Sequence, residues 1–416
     1  MIRFLNKHQK LNWTIADQGV VSGVNFITGL LIARFLGIEA FGVFTLVWMA
    51  VLFVNSIQIA MISAPMMTIG PKQSDEERAS YYGAVVMNQL IFSISTSILL
   101  WVGVTFSDSI NPAWQVAHLA LPLAVTLFFV QNQDFVRRLL FTENKPVSAL
   151  ISDIISYLGR VIILILLFIY STLTISEILW IFASCSAVAL VVGFAKIDTM
   201  VFNLKQIAFV FKRHWAVSKW MTASAVMQWT SGNYFILVAG VLLGPVAVGA
   251  LKAAQNIIGI THILFQGLEN IVPAEASRYF INNSIQGLKQ YLLKVTIWGG
   301  SSTAIIALLV SLYPNELLGL VYGYQYEIYG NILQLYALTY VLMFFSLPLR
   351  SGLRVLEDTR PLLISFLLAT IFSVFSANIF VSMLGLEGAV FGVLCAQLII
   401  TFTLHRYFLN AIKAPH

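Results

Sequence analysis

The sequence predicts an all-α polytopic membrane protein with about 12 transmembrane helices, in two parallel-repeat six-helix bundles around a central cleft. Of its 416 residues, 59% are hydrophobic and only 10% are charged. Soluble domains are roughly 45 to 50% apolar and about 25% charged, so this composition excludes a soluble globular protein. Each bilayer span needs about 20 mostly apolar residues, and 416 residues leave room for about twelve spans with short connections.

The apolar segments can be marked one by one along the chain. They cover residues 11–33, 43–69, 84–106, 116–136, 150–170, 178–197, 217–241, 250–274, 290–312, 330–349, 362–384 and 388–405. The longest outer connection, about 313–329, is rich in tyrosine, which is typical of a membrane interface. These segments are numbered below as spans 1 to 12.

The basic residues determine the orientation. If the N-terminus is inside, 21 of the 24 lysines and arginines lie in the inner loops and tails. The exceptions are Arg34, Arg160 and Lys252. This is the distribution that the positive-inside rule produces, so both termini are predicted to be cytoplasmic. The net charge of +6 therefore reflects topology, and we expect no nucleic-acid partner.

The chain divides into two halves. We expect an N-terminal six-helix bundle at 1–198, a cytoplasmic interfacial linker at 199–216 and a C-terminal six-helix bundle at 217–416. The linker mixes apolar residues with lysine and arginine, which favours a helix lying at the membrane surface.

A sequence repeat relates the halves. ARFLGIEAFG joins spans 1 and 2 and GVLLGPVAVG joins spans 7 and 8, so that Gly37 matches Gly244 and Gly42 matches Gly249, each 207 residues apart. We expect these glycines to permit a tight turn between helices. Because each half has an even number of spans, the two repeats have the same orientation.

Two further pairs extend the repeat. Pro65 in span 2 corresponds to Pro273 in span 8, and we expect both prolines to bend their helices as gate hinges. The inner loop RRLLFTENKP, ending at Pro146, matches LRVLEDTRP, ending at Pro361, at an offset of 215.

The stretch GLLIARFLGIEAFGVFTL, together with this topology, resembles a known family. It is similar to the polysaccharide transporters, the O-antigen, capsule and exopolysaccharide flippases of the multidrug/oligosaccharidyl-lipid/polysaccharide exporter superfamily. The resemblance implies movement of undecaprenyl-pyrophosphate-linked oligosaccharide across a bacterial inner membrane by alternating access, coupled to an ion gradient. It also implies lipopolysaccharide or capsule biosynthesis as the context, with polysaccharide polymerase and chain-length proteins as candidate partners.

Polar residues form a stripe along span 1 and another along span 8, each within an arc of about 140°. The stripes consist of Thr14, Asp17, Gln18, Ser22, Asn25, Thr28 and Gly29, and of Lys252, Gln255, Asn256, Gly259, His262, Gln266, Glu269, Asn270 and Pro273. We expect them to line one substrate cavity, with Asn25, Asn256 and Gln266 available to sugar hydroxyls. The alternative is that these groups join helices across a dry interface.

Three cations depart from the topological pattern and are candidates for binding pyrophosphate. Arg34 ends span 1 and Lys252 begins span 8, both on the outer side, and Arg160 lies within span 5. Asp153 precedes Arg160 by seven residues, which in a regular helix places both on one face about 10.5 Å apart. At that separation we favour separate partners, or a water-filled cleft, over a direct bond between them. Snorkelling of Arg34 and Lys252, and a packing ion pair at Arg160, are the alternatives.

The ionisable groups within the spans are candidates for coupling transport to protons or sodium. They are Asp17, Asp153, Glu269 and His262. A carboxylate in a low-dielectric cleft titrates more readily near neutral pH than one in water. A lone intramembrane histidine is more often a packing residue.

Catalysis is not expected. The outer connections lack paired carboxylates, so a membrane polymerase or ligase is disfavoured. Cys185 and Cys395 both lie in apolar runs, and we expect neither a metal site nor a cofactor. A multidrug or small-solute exporter of the same superfamily remains an alternative, because a fold does not determine its substrate.

Overall fold

A computed structural model describes the backbone of residues 2–110, 115–358 and 360–413. Side chains are described for the same residues except 2–22, 75, 110 and 270. Within this part of the chain the secondary structure is helical, without β-strands. The α-helices are Ile2–Gln58 (α1), Ala64–Ile69 (α2), Asp75–Thr105 (α3), Ser107–Ile110 (α4), Ala120–Thr142 (α5), Pro146–Asp153 (α6), Gly159–Tyr170 (α7), Ile175–Phe194 (α8), Leu204–Leu243 (α9), Pro245–Ile258 (α10), Thr261–Leu312 (α11), Pro314–Tyr322 (α12), Gly330–Val355 (α13) and Arg360–Ala411 (α14).

Shorter helical turns connect several of these helices. Two are π turns, Ile59–Ser63 before α2 and Ile154–Leu158 between α6 and α7. Turns of 3₁₀ helix cover Gly70–Lys72, Ala117–Leu119 and Tyr324–Tyr329.

The described residues contain 9 continuous helical stretches that are long and apolar enough to cross a membrane. Three of these stretches are interrupted by non-helical backbone, at Gly37, at Asn283 and Ser284, and at Gly385. Dividing them at these points yields twelve helical segments, one for each predicted span. The predicted all-α polytopic membrane fold is confirmed.

Gly37 and Gly244 share one unusual backbone conformation. Their φ and ψ angles are 81° and 172° for Gly37 and 87° and 178° for Gly244. This combination of positive φ with extended ψ is essentially restricted to glycine, because a Cβ atom would clash with the backbone. The two equivalent connections, between spans 1 and 2 and between spans 7 and 8, therefore turn at the same type of residue.

The chain forms two compact units. Unit 1 comprises Met1–Leu36 and Val47–Ala225, and unit 2 comprises Gly37–Leu46 and Val226–His416. The expected linker at 199–216 is not a separate element, since α9 begins at Leu204 and continues to Leu243. The division between the units falls inside this helix.

Unit 1 is built around α5, which packs against α3 and α8. Its apolar side includes Leu123, Leu127 and Leu139, which are fully buried. Polar residues 131–134 are buried as well, and residues 131–133 connect to neighbouring helices. Gln131 donates to Thr96 Oγ1 at 3.3 Å, in the manner of interhelical hydrogen bonds in membranes.

Unit 2 is built around α13, which packs against α11 and α14. Close helix approach depends on glycine. A Cβ atom at Gly299 of α11 would overlap the ring of Phe344, and one at Gly392 of α14 would overlap the ring of Phe235. Small residues at such positions allow membrane helices to pack by van der Waals contact.

Residues 37–46 pack within unit 2 against the start of α10. A Cβ atom at Gly42 would collide with the carbonyl oxygen of Pro245, and one at Gly249 would collide with the carbonyl oxygen of Ile38. At the repeat offset of 207, Gly42 corresponds to Gly249 and Ile38 to Pro245. The contact is therefore reciprocal between equivalent residues.

The C-terminal ends of α5 and α13 are also equivalent. The chain leaves both helices through a left-handed residue, Asn144 with φ 59° and Glu357 with φ 58°. The next amide donates to a carbonyl five residues earlier in each case, Lys145 to Leu140 at 2.8 Å and Asp358 to Leu353 at 3.0 Å. These helix ends correspond at an offset of 213 residues. The prolines that follow them correspond at an offset of 215, because the loop after α13 is two residues longer than the loop after α5.

Lys145 connects the loop after α5 to the end of α8. Its ammonium group lies 2.9 Å from Glu143 and 2.7 Å from Asp198, and it donates to the carbonyl of Lys196 at 2.9 Å. Partial burial lowers the pKa of Lys145, but the hydrogen bonds and charges of Asp198 and Glu143 outweigh it and the pKa is raised. The ammonium group therefore holds two loops of unit 1 together.

Candidate functional site

Span 8 has a short break in regular α-helix in the middle of the polar stripe. Helix α10 ends at Ile258 and α11 begins at Thr261, with Gly259 and Ile260 between them. The backbone of both residues stays right-handed helical, and their amides donate to carbonyls of α10 at 2.9 Å and 3.4 Å. The break therefore leaves these two amides satisfied.

Lys252 lies at the N-terminal end of this stripe and is half-buried. Its ammonium group donates to Gln255 Oε1 at 2.9 Å. Among the described residues, no carboxylate lies within ion-pair distance of it. A partly buried ammonium group without a carboxylate favours an anionic ligand.

His262 lies just beyond the break and contacts α13. Its Nε2 is 3.1 Å from the hydroxyl of Tyr340, and the two rings meet edge to face at 5.1 Å. Phe265, one turn further, stacks on Tyr340 and approaches Phe344 at 5.6 Å. This aromatic cluster fixes α11 against α13, so His262 has a packing role whether or not it also titrates.

Glu269 lies near the C-terminal end of the stripe and forms an ion pair. Its Oε1 lies 3.0 Å from an Nη atom of Arg350 on α13, with the Glu269 side chain 42% exposed and that of Arg350 20% exposed. The candidate coupling carboxylate is therefore already balanced by an arginine. The ion pair is open on the Glu269 side, so a competing anion or cation can reach it.

Together these groups define a polar face of unit 2. It contains the cation Lys252 at its N-terminal end, the histidine in the middle and the Glu269–Arg350 pair near its C-terminal end. Asn256 is half-buried and Gln266 is exposed on the same stretch. From residue 252 to residue 269, the face extends about 25 Å at 1.5 Å per residue.

Unit 1 contains a second charged cluster. Asp153 is fully buried and accepts hydrogen bonds from Arg137 Nε and from Gln133 Nε2, the latter at 2.8 Å. Asp134 pairs with Arg138 at 2.8 Å and lies 4.0 Å from Arg137. Both carboxylates are therefore compensated by arginines of α5.

Arg160 has partners other than Asp153. Its Nη2 donates to the hydroxyls of Ser156 at 2.8 Å and Ser186 at 2.5 Å. Its guanidinium carbon lies 5.0 Å from the Tyr157 ring centre and 4.8 Å from that of Phe182. Arg160 is only 3% exposed. It therefore does not line an open surface in this structure, whereas the sequence led us to expect it in a substrate cavity.

The shared face expected for Asp153 and Arg160 is absent because of the π turn Ile154–Leu158. A π turn accommodates one extra residue and so shifts the helical phase by about 100°. The expectation assumed a regular α-helix over seven residues. The hydrogen-bonding partners of the two side chains are accordingly different.

The remaining candidates lie as follows. Asn25 and Arg34 are exposed on α1, Pro65 is buried in α2 directly after a π turn, and Pro273 is half-buried inside α11. Asp17 lies on α1, outside the residues whose side chains the structure describes. Among the described residues, no group of three or more His, Cys, Asp or Glu could hold a metal ion.

Comparison with known proteins identifies relatives of this fold. A family model described as MatE matches residues 221–384, which is less than half of the chain but includes the polar face of unit 2. No curated protein matches by sequence.

Solved structures match over nearly the whole chain. An inward-facing multidrug resistance MATE family transporter of the MOP superfamily is 17% identical, with a TM-score of 0.75 and 96% of each chain covered. The lipid II flippase MurJ, in an inward closed conformation, is 15% identical, with a TM-score of 0.74, covering 97% of this chain and 90% of MurJ. A MOP superfamily transporter from Pyrococcus furiosus is 16% identical, with a TM-score of 0.65, covering 97% and 94%. This chain has the fold of these transporters.

The structure adds functional candidates that the sequence did not single out. Tyr340 and Gln133 looked like ordinary span residues, and Arg350 and Arg137 like inner-loop charges. At the structural offset of 213, Arg137 corresponds to Arg350, and each holds a carboxylate from another helix. The recurrence of an arginine at that position of both repeats was the available signal, but the proline-based offset of 215 concealed it.

Proposed function

We propose that this protein is a flippase that moves undecaprenyl-pyrophosphate-linked oligosaccharide across the bacterial inner membrane by alternating access. The substrate class combines hydroxyl-rich sugars, a pyrophosphate and a polyprenyl tail. The polar face of unit 2 supports this assignment, because it offers amides and a histidine to sugars and cations to phosphates.

The observation that carries the proposal is the charge of that face. Lys252 has no carboxylate partner among the described residues, and Glu269 is paired with Arg350. The face is therefore cationic, which attracts an anionic substrate and disfavours a cationic drug. In this scheme Lys252 contacts the pyrophosphate, while Asn256 and Gln266 contact the sugars.

The inner-membrane location, the cytoplasmic termini and the polymerase and chain-length partners belong to the same proposal. The lipid bilayer and a lipid-linked glycan are the partners that the composition and the polar face support. Arg34 and Asn25 on span 1 and the coupling candidates Asp17 and Asp153 are proposed contributors from unit 1. A gradient of protons or sodium is the proposed energy source.

A direct test is flipping in vesicles. Purified protein is reconstituted with a fluorescent pyrophosphate-linked glycolipid, and the fraction in the outer leaflet is measured by a membrane-impermeant quencher. Lys252→Gln is expected to lower the initial flipping rate at least tenfold, because the phosphate loses its cation, whereas Lys252→Arg retains most of it. Equal rates for vesicles with and without the protein would reject the proposal.

The second candidate is a multidrug or small-solute exporter. The MatE model match across the polar face and the likeness to MATE transporters favour it. However, the Pyrococcus furiosus protein is described as having a binding pocket of reverse polarity that suggests a different function, so this fold accommodates pockets of different charge. Efflux of cationic dyes from the same vesicles, with no glycolipid flipping, would favour the exporter.

A further inference from the structure

Arg160 is a buried cation without a carboxylate. It is 3% exposed, and no described carboxylate lies within ion-pair distance of it. The two acids of the nearby cluster, Asp134 and Asp153, are held by Arg138 and Arg137. Asp153 acts on this guanidinium group from beyond ion-pair distance and is itself paired with Arg137, so the buried charge is only partly compensated and the site favours an anion.

The donor groups around Arg160 are incompletely used. Its Nε has no hydrogen-bond acceptor among the described residues. Nε and Nη2 form one edge of the guanidinium group, which is the edge that binds anions with two parallel N–H bonds. The Nη2 atom on that edge already donates to the hydroxyls of Ser156 and Ser186. Both hydroxyls therefore lie beside the Nε–H group, which has no acceptor among the described residues.

The two serines differ from most serines in these helices. Ser351 and Ser373, for example, donate to the carbonyl four residues earlier, at 3.0 Å and 2.8 Å. Ser156 and Ser186 have no such bond among the described residues, and their oxygens lie 3.5 Å apart while both accept from Arg160. Since a hydroxyl can accept and donate together, at least one hydroxyl proton is available to a further acceptor.

The geometry points to a binding site for a small monovalent anion, of the halide class, on the Nε edge of Arg160. Arg160 supplies the charge and the N–H donors, and Ser156 and Ser186 supply hydroxyl donors. The guanidinium carbon lies 5.0 Å from the Tyr157 ring centre and 4.8 Å from that of Phe182, and Arg160 is 3% exposed, so an enclosed setting of this kind suits a small anion. The site is structural and consists of residues of unit 1.

The site can be tested without any transport assay, using purified protein in detergent. The thermal midpoint is measured in sodium chloride, sodium bromide and sodium gluconate at equal ionic strength. Halide is expected to raise the midpoint relative to gluconate, with an equal increment for each tenfold rise in concentration above Kd, because linkage is logarithmic. Equal midpoints in all three salts would overturn the proposal.

Variants assign the effect to this site. Arg160→Met is expected to abolish the difference between halide and gluconate, and Ser186→Ala to shift the halide dependence to higher concentration. Ser152→Ala is the matched control, since Ser152 is buried on α6 but already donates to the carbonyl of Ala189. Arg278→Met, an exposed arginine, controls for general salt effects.

A halide response that persists unchanged in Arg160→Met would place the anion elsewhere and refute the assignment. If that variant does not fold, crystals of the wild-type protein grown in bromide decide the question. An anomalous peak beside Nε of Arg160 supports the site, and its absence there refutes it. Neither result depends on whether the protein flips a glycolipid.

Discussion

Gly42 and Gly249 occupy equivalent positions in the two repeats, and their contacts are equivalent as well. Gly42 packs against the backbone carbonyl of Pro245, and Gly249 packs against the backbone carbonyl of Ile38. A methyl group at either position would overlap sterically with a carbonyl oxygen, and the helix backbone cannot easily move that oxygen away. Alanine at Gly42 or Gly249 is therefore expected to destabilise the protein by about 1 to 3 kcal/mol, the usual cost of overpacking.

Gly232→Ala provides the control for that experiment. Gly232 lies inside α9 with no atom near the position of an added Cβ, so alanine there is expected to be neutral or stabilising by up to about 1 kcal/mol. The readout is the fraction of monodisperse protein that survives heating in detergent. A Gly249→Ala variant as stable as Gly232→Ala would contradict the close packing.

Gly244 tests backbone conformation alone. An added Cβ meets nothing within 4 Å, but φ is 87° with ψ near 178°. This region is essentially limited to glycine, so Gly244→Ala and Gly244→Asn are both expected to cost about 1 to 3 kcal/mol. Asparagine relieves strain at left-handed helical ψ, near +47°, and not at extended ψ. Rescue by asparagine in the same heating assay would show that the turn is left-handed helical instead.

The apolar pattern was sufficient to predict the membrane fold. Burial in a bilayer demands long apolar runs, and these are visible without knowledge of any partner. The repeat was also visible, because glycines that adopt positive φ at two equivalent turns cannot be replaced by other residues without strain. Gly37 and Gly244 indicated the position of both turns.

The side-chain partners could not be predicted in the same way. The Asp153–Arg160 register assumed a regular helix, and a π turn between the two residues changes their relative direction. Arg137 and Glu269 find their partners on other helices, and such long-range contacts depend on packing angles that periodicity does not encode. The sequence therefore located the charged residues but not their pairings.

The ion pairs of the two units are expected to differ in strength. Asp153 is fully buried, so Asp153→Asn is expected to destabilise by about 3 kcal/mol or more, because Arg137 loses its main counter-charge. Glu269 is 42% exposed, and Glu269→Gln is expected to cost only about 0.2 to 1 kcal/mol. Denaturant titration in mixed micelles measures both free energies of unfolding.

A double variant separates the charge effect from packing at Asp153. Arg137→Gln together with Asp153→Asn removes both charges and is expected to recover part of the stability lost in Asp153→Asn alone. Strictly additive losses would mean that the two side chains do not interact. Equal costs for Asp153→Asn and Glu269→Gln would contradict the difference in burial.

Lys145 provides a test of pH dependence outside the membrane spans. Its pKa is raised above 10.5 by Asp198 and Glu143, which outweigh its partial burial. A raised pKa means that its contribution to stability is complete below pH 10.5 and disappears as the pH rises through the higher folded-state value. The difference in thermal midpoint between the wild type and Lys145→Gln should therefore be constant up to that pH and then fall. Lys212→Gln, at an exposed lysine, is the control for the general effect of removing a basic side chain.

Water access distinguishes a substrate-lining face from a dry helix contact in unit 2. In a background lacking Cys185 and Cys395, cysteine at Asn256 or Gln266 is expected to react with a membrane-impermeant maleimide, because both residues lie on the polar face. Cysteine at Ala254, which is fully buried, should remain unlabelled.

The control for that labelling is an exposed residue on an apolar surface. Leu309 of α11 is 59% exposed, so cysteine there is accessible in the structure but covered by lipid in a bilayer. It should react in denaturant and not in membranes, since the reagent requires water to reach the thiolate. Labelling at Gln266 as slow as at Leu309 would show that the polar face is not wet. Rapid labelling at Gln266 that a pyrophosphate-linked glycolipid slows, with no change at a cysteine in an inner loop, would locate the substrate against this face.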